Sequence, residues 1–554
     1  MKNAFRWPLP LIGFLVLLFA AIIIFNWESL LWSPAYDIGT VYVPPPGEIK
    51  PTATYFSPSS VTPTYNVNLV WIDPAIPPGL LSPIERNTTI QYTIEEDEAG
   101  TVLSIGEEST LINWVFALAA PFPTVLDEVS STELQAAWAG GKNPLAPGQP
   151  LLVTRETADI LSARWGAPSA DALAVLEEGN LADYAWSHRP SLAIVPFDNL
   201  TPDWKVLKID GISPLDQNFT PDEYILSVPI SAVGVNPNLF QELVSNRDPD
   251  RFTSVVLTGV TALVRATAWT MENHGINYPA RDIKDWLIEA DILHISNEVP
   301  FAQGCPSPNP SQVGLRFCSD TRYIQLMETI GTDVVELTGD HFGDYGPEAM
   351  LYTLGLYNDR DWPYYGGGST RQDAQETVLF EHNGNKIAFL GCNAKGGGYA
   401  TAGPSYPGAV ACDFGKMTNQ IMDLRENGYQ PIATFQHFEY YTYLAQANQI
   451  RDARKLTQAG AVIVSGSQAH QPQGFEIGQD FFVHHGLGNL FFDQVYEIPP
   501  HTASAFIDRH IFYNGKHVST ELLTIRFEDF ARARPMTGPE REWLLQTTFS
   551  ASNW

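Results

Sequence analysis

The sequence predicts an α/β protein in two folded parts, carried behind one N-terminal transmembrane helix. Three observations predict it. Apolar runs of strand length alternate with helical patterns from about Val67 to Phe527. The alternation is broken once by the polar, proline-containing "SNRDPDRF" (Ser245 to Phe252), which reads as a domain boundary. The stretch Trp7 to Trp27, "WPLPLIGFLVLLFAAIIIFNW", carries no charge over a length at which about 20 apolar residues cross a bilayer.

The uncharged stretch comes first. Lys2 and Arg6 precede it while Glu28 and Asp37 follow, so the positive-inside bias places the short N-terminus in the cytoplasm and the remainder outside. The run is longer than a signal-peptide core and no small-x-small cleavage pattern follows closely, so it is expected to remain as an anchor. Residues 1–35 then hold the cytoplasmic N-terminus and the span. Residues 36–66, rich in proline and hydroxyl side chains ("VYVPPPGEIKPTATYFSPSSVTPTYN"), make a stiff stalk. Residues 67–245 are expected as the first α/β domain, 250–530 as the second, and 531–554 as a tail.

Composition limits the partners. A formal net charge of -30 argues against nucleic acid, whose binding draws on clustered Lys and Arg, so no nucleic-acid partner is expected. Four cysteines occur, an even number in a compartment expected to be oxidising. They leave room for two local bridges, Cys305 with Cys318 and Cys392 with Cys412. No CxxC spacing points to a zinc knuckle.

In the first domain "LVWIDPAIP" reads as strand, "STELQAAWAG" as helix, "PLLVTRETADILSARWG" as strand then helix, and "SLAIVPFDNL" as strand and turn. Ser131, Thr132, Asp198 and Asn199 stand at element ends where a small ligand can be met. Against that, Ser130 to Glu133 has the S-x-x-E spacing of a capping box, which alone explains hydroxyls there. The stretch "SLAIVPFDNLTPDWKVLKIDGISPLD" resembles the later part of periplasmic solute-binding proteins, including the phosphate-binding kind. The resemblance spans Val67 to Val233 and implies capture of a small ligand.

The second domain offers seven strands: "SVVLTGV", "ADILHISNE", "TDVVELTGD", "KIAFLGCN", "PIATFQHFE", "AVIVSGS" and "FFVHHGLGNL", with helical patterns such as "AMLYTLGLYND" and "NQIRDARKLTQAG" between them. In four of the strands polar side chains appear where the apolar run stops: Glu298; Asp340 with His341 and Asp344; His437; and Ser467 through His470. Active sites of open α/β sheets collect at such ends, so these groups are expected to converge. Two histidines with two carboxylates suit manganese, zinc or iron. His341 and Asp344, three residues apart, also form a candidate proton-donating pair, while Asp344 as a helix cap is the plainer reading. "YYGGG" (Tyr364 to Gly368) and "KGGGYATAGPSYPG" (Lys395 to Gly408) read as rim loops without P-loop spacing. Tyr440, Tyr441 and Tyr443 are candidates for stacking at the rim.

These segments carry a family resemblance. Thr253 to Phe527 resembles the CapA family of capsule and poly-γ-glutamate synthesis proteins. "ADILHISNE" matches a family strand that ends in Glu298, and "GDHFGDYG" is similar to "NNHxxDxG", giving His341, Asp344 and Gly346. "ATFQHFEYY" supplies His437 and Glu439. "GAVIVSGSQAHQPQGFE" with "HHGLGNLFFDQ" mirrors the closing motif pair. The resemblance implies a four-layer α-β-β-α sandwich of metallophosphoesterase type. It further implies a role in making or exporting a cell-surface polymer, with that polymer or its synthesis machinery as partner, and the membrane met through the N-terminal helix. Two departures stand out: Val260 replaces the family's metal-binding Asp, and Gln468 replaces the first of two histidines. The donors left are Glu298, Asp340 and His437 at one position and His470 at another. That set fits a single divalent metal or none, with His341 as general acid and Asp344 orienting it, which makes a phosphoesterase or other hydrolase the alternative reading. The oligomeric state is left open.

Overall fold

The computed structural model describes residues 66–81, 90–395, 398, 400–552 and 554. The expected span and stalk lie outside these, apart from the last stalk residue, Asn66. Among the described residues no helix is long and apolar enough to cross a membrane.

The first α/β part is built on "TLINWVFALAAP", the strand Thr110–Pro121, whose residues from Trp114 onward are buried. A strand apolar on both faces needs cover on both sides. It receives antiparallel neighbours at Ser227–Gly234, Ala193–Pro196 and Trp204–Ile209 within a ten-stranded mixed sheet. Helices Ser131–Trp138, Arg155–Trp165 and Glu178–Ser187 add Leu134, Trp138, Leu161 and Ala185 to the same core. The capping box is present: Ser130 accepts from Glu133 N while the Glu133 side chain accepts from Ser130 N.

Among the described residues the second part has two large mixed sheets and two small two-stranded ones. The nine-stranded sheet runs Tyr364–Tyr365, Val334–Glu336, Ile292–Asn297, Phe252–Thr258, Ser504–Tyr513, Lys516–Glu528, Arg532–Pro535, with short strands Val260–Thr261 and Asn489–Phe491 off this path. The six-stranded sheet runs Val378–His382, Asn385–Asn393, Gln430–Gln436, Ile463–Ser465, Phe482–His484, Phe475–Ile477. All seven strands read from the sequence are present: most are shorter, Phe252–Thr258 is shifted by two residues, Asn385–Asn393 is one residue longer, and the last is split into Phe482–His484 and Asn489–Phe491. Val255, Leu257 and Ile292 of the first sheet meet Ile387, Phe389, Ile432 and Phe482 of the second in one core. The other face of the first sheet packs on Ala268, Met271, Met327, Met350 and Leu354 from helices. The other face of the second packs on Met417, Ile421, Ala453 and Leu456. The layers are therefore helix, sheet, sheet, helix.

Three features differ from the sequence reading. The long hairpin Ser504–Tyr513 and Lys516–Glu528 was not among the seven expected strands. The stretch expected as a tail, 531–554, supplies the strand Arg532–Pro535 and the helix Gly538–Ser550, whose Leu544, Leu545 and Phe549 enter the inter-sheet core. The two parts also share packing: Phe252, Ile511, Tyr513 and Val518 complete the core of the first part, Phe122 enters the core between the sheets, and all described residues fall in one compact unit. Both cysteine pairs are bridged, Cys305–Cys318 and Cys392–Cys412.

Candidate metal centre

A strand's side chains alternate between its two faces, and that alternation decides what reaches the centre. On Ile292–Asn297, Leu293 and Ile295 face the helices, while Ile292 faces the second sheet. Continuing the alternation by two residues at a time carries Glu298 toward the second sheet just beyond the strand. There Gly339 is obligatory, since a Cβ at that residue would lie 2.9 Å from Glu298 Cα.

Glu298, Asp340 and His341 each offer one ligand atom, and these atoms lie within 4.8 Å of one another. His470 Nε2 stands 3.8 Å from Glu298 Oε1, and its Nδ1 is held by Asn489 Oδ1 at 2.9 Å. Glu298 is fully buried and its Oε1 has no hydrogen-bond partner. Burial raises its carboxyl above the usual range, against the pull of His470 and His341.

His341 Nδ1 meets Asp344 Oδ2 at 2.8 Å. The same Asp344 oxygen accepts from Phe317 N at 2.7 Å, and the Phe317 ring lies 4.9 Å from the imidazole. Burial would depress the imidazole, but the Asp344 hydrogen bond and the charges of Glu298, Asp344 and Asp340 outweigh it, and its pKa is raised to about 9. With Nδ1 engaged by a carboxylate, Nε2 is left for a cation or a proton, the arrangement by which outer carboxylates orient metal-binding histidines.

Asp340 is clasped by Gln436 on one side: Asp340 N donates to Gln436 Oε1 and Gln436 Nε2 donates to Asp340 Oδ1, both at 2.8 Å. On the other side Lys395 Nζ lies 2.6 Å from Asp340 Oδ2 and 2.8 Å from Glu439 Oε1. Tyr441 OH donates to Glu439 Oε2 at 2.9 Å. Burial opposes ionisation of Asp340, yet Lys395 and His341 keep its carboxyl below the ordinary value.

The structure does not place His437, expected among the ligands, in this group. Ala433 and Phe435 face the helices, and His437 follows them by parity. Its ring lies 5.1 Å from Phe435, and its Nε2 stands 3.4 Å from Asp452 of the helix Ala447–Ala459. Burial lowers its pKa, with Asp452 opposing. Gln436, one residue earlier, faces the centre instead. The sequence reading missed Gln436 and gave Lys395 no partner, although alternation along "ATFQHFE" carried the signal for the first.

The two departures are filled in ways that do not bind metal. Val260 is buried in an apolar patch with Val264, Val299, Phe317 and Phe492. Gln468 donates through Nε2 to Ser296 Oγ at 2.6 Å, tying the sheets together. In the first part, Asp198 accepts from Asn246, Asn199 donates to Glu178, Ser131 N donates to Asp210, and Thr132 is exposed, so Asp198 and Asn199 are engaged within the fold.

Residues 254–494 match the family model described as Bacterial capsule synthesis protein PGA_cap. The chain carries a CapA-family domain. It is 22% identical over 277 residues to Capsule biosynthesis protein CapA of Bacillus anthracis, covering 49% of this chain and 67% of that protein. It is 25% identical over 194 residues to PGA biosynthesis protein CapA of Bacillus subtilis (strain 168), covering 35% of this chain and 50% of that one. The chain thus spans about two thirds of one curated relative and half of the other. Among solved structures it is similar to a 5'-nucleotidase precursor from Thermus thermophilus, at 11% identity and a TM-score of 0.32 over 54% of this chain and 57% of that one. It is also similar to an ABC-type phosphate transport receptor from Vibrio cholerae, at 9% identity and a TM-score of 0.26 over 31% and 87%. Likenesses this distant carry no argument about function.

Proposed function

We propose that the chain works outside the cytoplasm in synthesis or export of an anionic cell-surface polymer, capsule or poly-γ-glutamate, and that its CapA-family domain holds one divalent cation on a metallophosphoesterase-like sandwich. One observation carries the reading: Glu298 Oε1, buried beside Asp340, His341 and His470, lacks a hydrogen-bond partner. A buried carboxylate oxygen without a partner is costly, and a cation relieves that cost. Glu298, Asp340 and His341 would hold the ion, with His470 beside Glu298. The names of the two relatives support the polymer, and two disulfides support an oxidising compartment. The apolar run Trp7 to Trp27 supports an anchor.

The chemistry supplied by a bound divalent cation is polarisation of a phosphoryl or carbonyl oxygen. The chain's own groups do the rest. Asp344 fixes the His341 ring, Asn489 fixes the His470 ring, and Phe317 and Phe492 pack against them. A hydrolase of phosphate esters or peptide-like bonds is the second reading, in which Glu298 and Asp340 would hold the cation without His341. The His341–Asp344 pair favours it, since an imidazole with a pKa of about 9 that is not bound to metal carries a proton to donate at neutral pH.

The test is elemental analysis of the purified full chain for manganese, zinc and iron, beside the Glu298→Gln variant. It is paired with surface-polymer measurement in cells whose single copy carries that change. Near-stoichiometric metal lost in the variant, together with reduced polymer, is expected. Metal-free wild-type protein removes the centre, and polymer output indifferent to deletion of the chain removes the role.

A further inference from the structure

Lys395 follows the strand Asn385–Asn393, and its ammonium bridges carboxylates from the ends of different sheets. Asp340 lies beyond Val334–Glu336 of the first sheet, Glu439 beyond Gln430–Gln436 of the second, and the ammonium is 2.6 Å from one and 2.8 Å from the other. The three side chains are 27%, 25% and 27% exposed, so this is no free surface pair. Glu439 also feels the charge of His470, whose Nε2 is 3.8 Å from Glu298 Oε1. The ammonium therefore sits between two carboxylates, oxygen donors of the kind a divalent cation takes.

Charge explains why something positive must sit there. Glu298, Asp340 and Glu439 converge, and the latter two each disfavour ionisation of Glu298. In many metal centres a second ion performs that neutralisation. We infer that Lys395 is a tethered cation filling a second cation position beside Glu298, Asp340 and His341, so that the centre takes one metal rather than two. This rests on the single-metal reading above for the neighbouring position. An ammonium has three donors, and two are engaged by these carboxylates. The centre thereby keeps a fixed positive charge at its rim whatever the supply of metal.

The test loads the full chain with Mn2+, removes excess by dialysis and counts metal per chain, with electron paramagnetic resonance reporting coupled ions. Wild type is compared with Lys395→Met, Lys395→Gln and Lys395→Arg, each checked by thermal unfolding. The uncharged variants are expected to hold one equivalent more than wild type and to show coupled manganese. Lys395→Arg should match wild type, and adding Glu439→Gln to Lys395→Met should return the count to the wild-type value. An unchanged count in both folded, uncharged variants overturns the inference. The wild-type count separately tests the single-metal reading: zero there, with a gain of one in Lys395→Met, sinks that reading and upholds Lys395 as the built-in cation.

Discussion

Asp344 serves His341 twice, by fixing its tautomer and by holding its proton. The neutral amide of Asp344→Asn keeps the shape and removes the charge, so the imidazole pKa should drop from about 9 by a unit or more. Imidazole NMR titration of metal-free protein checks this, and an unmoved midpoint would show that Asp344 is not the cause. Glu298 and His437 make a second contrast. Glu298→Gln should abolish metal binding, whereas His437→Ala should leave it within about twofold, because that ring faces Asp452 on the helix side. Equal losses in both variants would mean that His437 turns inward in solution. The difference between Gln436 and His437 is one residue of a pattern with period two. Ends of strands are visible in sequence, but the face is fixed only when the apolar partners, here Ala433 and Phe435 on the helix side, are known.

At the level of elements, the loop closed by Cys305–Cys318 acts as a brace for the centre, since Phe317 beside the bridge donates to Asp344 and covers His341. Replacing both cysteines by serine should cost about 3 kcal/mol from loop entropy. It should also broaden the His341 resonance. Urea unfolding and the same NMR experiment read the two effects, and a stability loss with an unaltered His341 would refute the brace. The hairpin Ser504–Tyr513 and Lys516–Glu528 governs a different property. His510 and His517 are buried within it, 3.3 Å apart, and burial holds both neutral, with His517 pushed down to about 3. An unfolded chain takes up these protons near pH 6.5 and the folded one does not, so stability is complete above that pH and declines as pH falls toward 3. At pH 5 the His517 share is about 2 kcal/mol. His517→Phe should flatten the change in unfolding free energy between pH 7 and pH 5, and an identical slope would exclude this pair as the cause. The hairpin's signal was in the sequence: Asn514 and Gly515 both have positive φ at its turn. Inward-facing His, Asp, Ser and Thr hid the alternation around it.

Across the whole molecule, the C-terminal helix Gly538–Ser550 joins the parts. Leu544 and Phe549 share a core with Phe122 of the first part and Phe475 of the second. Arg541 donates to both oxygens of Asp127, at 2.6 and 2.8 Å. Leu544→Ala should therefore cost about 3 kcal/mol, a buried leucine's usual loss. It should lower the unfolding temperature of both parts together in a calorimetric scan. Two separate transitions, only one of them shifted, would show that the parts melt independently. Polar turns and a proline marked the boundary near Ser245, yet nothing local announces that a later helix will pack against both parts.

The sequence by itself determined the α/β class, the seven strands of the second part and the places where polar groups follow them. Those features are written in short-range periodicity and in turn residues, which each segment carries alone. Only the tertiary structure decided which end groups meet. Glu298, Asp340, His341 and His470 assemble, His437 turns away, Lys395 stands between Asp340 and Glu439, and the final helix becomes core. Such meetings depend on the facing of strands and on contacts between distant segments, and these exist only once both sheets have packed.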